Sequence, residues 1–150
     1  MDGFLELQSA DHLLEKLRYD LALLEEEPMD TYRAFNFFVT AEHMADWHLP
    51  GRSNDTPRKD LRKNNTILQI CSHLANGMKH FRAENKHHKS VSGALKNKGV
   101  YGNSYPNVYP NAHPSKILIE LDGDAKSAYG ASINAVDLAR LTLQFWEAEI

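Results

Sequence analysis

The apolar positions of this chain fall first into a helical rhythm. Between Ser9 and Glu27, leucines at 13, 14, 17, 21 and 24 recur three and four residues apart with charged residues opposite, which predicts an amphipathic helix. Ser9 or Asp11 can cap its first amides, and Pro28 stops it because the ring removes a donor and crowds the preceding turn. Asp30 then caps a second helix from Thr31 to about His48. Its apolar residues Phe35, Phe37, Phe38, Val39, Ala41, Met44, Ala45 and Trp47 spread around most of the circumference, so this helix should be central. Pro50-Gly51 ends it, the polar linker Arg52–Asp55 follows, and Thr56-Pro57 suits the cap and first turn of a short basic helical piece. A third long helix is expected from about Asn65 to Phe81, with Ile67, Ile70, Cys71, Leu74, Met78 and Phe81 on one face. Gly77 weakens it by about 1 kcal/mol relative to alanine.

From Arg82 to Ser115 the rhythm fails, and Gly, Asn, Pro, Lys and Tyr predict a loop with short strand pieces near Val91 and Val100. Loops of that length are uncommon inside compact domains and often carry function. The tyrosines at 101, 105 and 109 are expected to pack this loop onto the body. Lys116–Leu121 alternates and is β-branched, so it predicts a strand, and Asp122-Gly123 predicts a turn into a hairpin returning through about Ser127–Ala131. Asn134 with Asp137 three residues on resembles a capping box, opening a last helix that buries Val136, Ala139, Leu143 and Trp146. The expectation is a mainly α single domain: a four-helix bundle with a small β-hairpin and a long loop at about 82–115.

Composition narrows the classes. The apolar runs are only a few residues long, which excludes a membrane-spanning helix, and the first residues lack the basic and long apolar regions of a secretory signal. One cysteine, Cys71, can form neither an internal disulfide nor a Cys-based zinc site. A cytoplasmic location is expected, with Cys71 as a small core residue. No glycine-rich phosphate loop, Ser-His-Asp set or nucleophile elbow is present, which sets aside ATP hydrolysis and α/β-hydrolase chemistry.

The net charge of −3 hides a polarity along the chain. Residues 1–30 carry nine acids against Lys16 and Arg18, or −7, whereas residues 52–98 carry eleven Lys and Arg against Asp55, Asp60 and Glu84, or +8. A basic middle can attract a phosphate backbone, which makes RNA a candidate partner through residues 52–98. The alternative is that the acidic first helix lies across the basic segment and cancels its field.

Candidate chemistry gathers on the second and third helices. On a helical wheel His43 and Asp46 lie within about 60° of each other, with Tyr32 and Asn36 on the same side and His48 elsewhere. On the third helix Gln69, His73, Asn76 and His80 form one polar stripe beside the apolar one, with Lys79 adjacent. If the two stripes meet, His43, Asp46, Asn76, Lys79 and His80 make a polar site for ligand binding or acid–base chemistry. His43, Asp46, His73 and His80 are also ligand types for a divalent transition metal such as zinc or iron. Against this stand two alternatives: a satisfied polar layer between helices, and a non-catalytic interaction module, including a homodimer.

The strings Ala41-Glu-His43-Met-Ala-Asp46-Trp47 and Ile70-Cys-Ser-His-Leu74-Ala75-Asn76-Gly-Met-Lys79-His80-Phe81 resemble the two signatures of a group of small, largely uncharacterised bacterial and phage proteins. The likeness spans roughly residues 30–82 and extends faintly to Phe145-Trp146, and it implies a site without a particular reaction. More distantly the chain resembles HEPN domains, helical bundles of toxin and antiphage systems, many of which are metal-independent ribonucleases with an Arg-x4–6-His motif. Arg82-Ala-Glu-Asn-Lys-His87 has that spacing. Asn76-x-x-x-His80 is better placed on a helix but lacks the arginine that would stabilise a scissile phosphate. The resemblance implies His80 or His87 as general base or acid toward a ribose 2′-hydroxyl, Arg82 and Lys79 on the phosphate, and no required cofactor.

Overall fold

The computed structural model describes residues 1–97 and 115–150. Val100 and the tyrosines at 101, 105 and 109 lie outside the described residues. The chain is mainly helical, with a small antiparallel sheet.

Three of the four long helices begin at the side-chain caps that the sequence predicts. In α1 (Ala10–Glu26) the Ser9 hydroxyl accepts from the His12 amide at 3.3 Å. In α2 (Thr31–His48) the Asp30 carboxylate accepts from the Tyr32 and Arg33 amides at 2.8 and 3.1 Å. In α6 (Ala135–Glu149) the Asn134 side chain accepts from the Val136 amide at 2.9 Å. Each such cap satisfies an amide that the helix leaves without a carbonyl partner. Between α2 and the long α4 (Thr66–His80), the short basic piece is a full helix, α3 (Asp55–Lys63), entered through a 3₁₀ turn at Arg52–Asn54. No residue of α3 is fully buried, and its partly covered face is Arg58, Leu61 and Arg62, so hydrophobic periodicity understates its length.

The expected hairpin is replaced by different topology. Asp122 caps a helix, α5 (Gly123–Tyr129), with its carboxylate accepting from the Gly123 amide at 3.0 Å. Three strands, β1 (Val91–Asn97), β2 (Lys116–Leu121) and β3 (Ser132–Asn134), form an antiparallel sheet in the order β1-β2-β3. β1 pairs along β2 from Val91 opposite Leu121 to Asn97 opposite Lys116, with a register shift between Val91 and Gly93. β2 carries the predicted alternation, burying Ile117, Ile119 and Leu121. Thus nearly half of the expected loop is a basic segment followed by an edge strand.

The core forms where α2 and α6 meet, flanked by α1, α4 and β2. Phe37, Phe38, Met44, Ile70, Leu138 and Trp146 are among its fully covered side chains, whereas Phe35, expected inside, is 40% exposed. α1 does not serve as an acidic cover for the basic segment. It packs on α2 and α6, and its longer-range ion pairs reach those helices: Arg18 to Glu147 at 2.8 Å, Glu25 to Arg140 at 3.4 Å and Glu26 to Arg33 at 3.7 Å. Among the described residues no helix is long and apolar enough to cross a membrane.

Candidate functional site

The α2–α4 seam is polar, but its contacts are made one residue away from the histidines on both helices. Glu42, beside His43, accepts from the Ser72 hydroxyl at 3.4 Å, and Ser72 is the neighbour of His73. Arg62 at the end of α3 reaches Glu42 at 2.9 Å and Asp46 at 3.7 Å. Asn76, one turn beyond Ser72, donates to the Ser72 carbonyl at 2.8 Å and stands 3.5 Å from its hydroxyl. Asp46 and Asn76 from the expected set are therefore linked, through Arg62, Glu42 and Ser72.

The electrostatics of the seam centre on Glu42. Burial pushes its carboxyl up to about 7, against the pull of the Arg62 charge, with Asp46 adding to the rise and the hydrogen bonds from Arg62 and Ser72 opposing it. The Nε of Arg62 is buried with no hydrogen-bond partner. Arg58 closes the neighbouring end: it donates to the Leu49 carbonyl, to the Gly51 carbonyl at 2.9 Å, to Asp55, and sits 3.3 Å from Asp46. The arginine charges of α3 are thus answered by α2 and by its own first turn. A carboxyl that exchanges its proton near neutrality is chemically equipped for acid–base work, and equally it is one member of a buried ion-pair network.

The histidines go elsewhere. His43 and His80 are exposed, as is Lys79, and His80 ends α4. The His73 Nδ1 accepts from the backbone amides of Val91 and Ser90 at 3.1 and 3.3 Å, and its ring stacks on His88 with centroids 5.2 Å apart. His87 meets His88 edge-on at the same centroid distance, and the buried Nδ1 of His88 has no hydrogen-bond partner. Burial lowers the His73 pKa, and burial together with its two neighbouring imidazoles lowers that of His88. His43, Asp46, His73 and His80 therefore do not assemble into a shared pocket. Asp46 is held by arginines, His73 faces the strand side, and the other two face solvent. Among the described residues no group of three or more His, Cys, Asp or Glu could hold a metal ion.

The last turn of α4 and the stretch after it form a second feature. Phe81 is 92% exposed with φ at +64°, a backbone conformation that bulky L residues adopt only at a cost of about 1–3 kcal/mol. It is preceded by Lys79 and His80 and followed by Arg82, Lys86, His87 and Lys89, all exposed. Arg82 has one ion pair, to Glu84 at 3.7 Å, and both partners are about three-quarters exposed. Sequence reasoning placed Phe81 in the core and did not single out Glu42, Arg58, Arg62 or His88. Glu42 could have been found, since it sits between Phe38 and Ala45 on a face that α2 buries. In comparisons with family models, with curated proteins and with solved structures, nothing matches this chain.

Proposed function

We propose that the protein binds single-stranded RNA at the C-terminal end of α4 and the basic segment 81–90. The observation that carries this reading is Phe81, a fully presented aromatic ring in a costly backbone conformation, set among Lys79, His80 and Arg82. Single strands are bound by just these two components, cations along the phosphates and an aromatic face on which a base stacks. Arg58 and Arg62 are neutralised in the seam and do not belong to the surface, whereas the cations from Lys79 to Lys89 surround the presented ring.

Titration of a fluorescent RNA oligonucleotide at several salt concentrations tests it. Affinity falls as salt rises, and Phe81→Ala weakens binding by roughly 5- to 100-fold while leaving the salt slope unchanged. Lys79→Ala with Arg82→Ala flattens the slope by about 1.4, as two lost phosphate contacts require on a single strand. Binding indifferent to Phe81, or an acidic protein binding where RNA does not, overturns the reading.

A second reading is favoured by His80, whose imidazole makes no hydrogen bond or ion pair among the described residues and stands beside Lys79. The HEPN-like resemblance gives such an imidazole the role of general base toward a ribose 2′-hydroxyl. The same oligonucleotide is assayed for strand cleavage: His80→Ala removes any cleavage without altering folding, and undiminished cleavage in that variant ends the catalytic idea.

A further inference from the structure

We propose that His73 is a proton-operated latch that holds the basic segment 81–90 against α4 when neutral and lets it go when protonated. The inference deepens the RNA reading only in saying what the latch controls. The latch itself rests on geometry. One unprotonated nitrogen, Nδ1, accepts both the Ser90 and Val91 amides at the point where the segment becomes β1. Adding a proton there replaces the acceptor with a donor aimed at two donors, so both bonds are lost together.

The rest of the joint depends on the same point. The buried Ser90 hydroxyl lies 3.5 Å from the His73 Nδ1 and donates to the Gln69 carbonyl of α4 at 3.2 Å, and the Ser90 carbonyl accepts from the Asp122 amide at 3.0 Å. Ser90 thereby ties α4 to the start of α5, and the Lys89 carbonyl passes so close to Gly123 that a Cβ there would lie 3.2 Å away. The charged neighbours offer His73⁺ no compensation. On the segment itself they are His88, stacked on the His73 ring, His87 against His88, and the exposed Lys89. The elements packed on this part of α4 carry Lys96 of β1, Asp124 and Lys126 of α5, and Glu42, His43 and Asp46 of α2, of which Glu42 bonds Ser72 and none is paired with His73. On α4 the groups one turn away, Gln69 and Asn76, are neutral, and Lys79 is exposed. Burial disfavours the charged ring, so the latch opens as pH falls below the ordinary histidine range.

Amide hydrogen exchange of Ser90 and Val91 followed by NMR at pH 7.5 and pH 5 reads this directly, with no RNA present. After correction for the intrinsic rate, protection of both amides drops about tenfold or more at the acidic pH, while amides at the centre of α2 hold. His73→Asn places an amide oxygen close to the Nδ1 position, accepting without titrating, so protection persists at both pH values. His73→Ala loses it at both. Unchanged protection in the wild type after the His73 ring has demonstrably protonated overturns the latch, as does acid release that persists in His73→Asn. Because these readouts omit RNA, a failed latch and a failed RNA site are told apart.

Discussion

At Glu42 the balance between burial and ion pairing gives a stability effect of definite sign. The carboxyl titrates at 4.5 when unperturbed and at about 7 in the fold, so between these values the folded state holds a proton that the unfolded chain releases. Its contribution is present in acid and lost as pH rises to about 7, a swing on the order of 2–3 kcal/mol. His73 acts oppositely: its lowered folded pKa costs stability as pH falls below the ordinary histidine value of 6.5. Glu42→Gln mimics the protonated form, so at pH 8 it should raise unfolding free energy by on the order of 1–3 kcal/mol while changing little at pH 5. Urea unfolding at the two pH values measures this, and a variant less stable at pH 8 contradicts the account. Cys71, placed in the core by its apolar neighbours, is buried there with the Thr142 hydroxyl at 3.3 Å, and burial pushes its thiol up to about 12, which removes it from nucleophilic chemistry. The residues of the seam were half legible. Asp46 and Asn76 lie in its network, but α2 is apolar around so much of its circumference that no wheel fixes which polar residue looks at α4, and Glu42 rather than His43 does so.

The elements differ in how plainly they announce themselves. α1, α2 and α6 combine an apolar helical rhythm with side-chain caps, α4 carries the rhythm alone, and those local signals survive packing. α3 announces only its first turn because arginines do its packing, β1 only a piece near Val91 because Gly93, Lys96 and Asn97 give it no alternation, and α5 escapes because Asp122-Gly123 serves equally as a turn or a helix start. Partners distant in sequence decide such cases. The join of α2 to α3 depends on the fork of Arg58, which spans two carbonyls after α2 and two carboxylates. Lysine cannot reproduce that planar geometry, so Arg58→Lys should cost about 1–3 kcal/mol and remove α3 protection before the rest of the fold opens. Thermal unfolding with hydrogen exchange checks both parts, and a neutral substitution shows that the fork is dispensable. Between α1 and α2 the buried Asp20 accepts from Thr40 at 2.8 Å and from Lys16 at 2.6 Å, a polar joint with every partner supplied.

Over the whole molecule, charge is arranged by neighbourhood rather than by sequence block. The acids of α1 answer α2 and α6, the arginines of α3 answer α2, and the cations from Lys79 to Lys89 are left facing outward with only Glu84 among them. The predominance of helix and the strand at Lys116–Leu121 were legible from periodicity, whereas the pairing of the sheet was not, since its strands come from residues 91–97, 116–121 and 132–134 and pair across the chain. The pairing of Asn97 with Lys116 brings the two ends of residues 98–115 to adjacent positions on one ladder. That stretch can accordingly be exchanged for a two-residue Asn-Gly turn, with a cooperative melting transition retained as the expected outcome and its loss as the contrary one. The same doorstep accepts a much larger guest: a reporter domain whose own termini lie close together could be spliced in there, turning the sheet into a handle by which the molecule is watched or pulled.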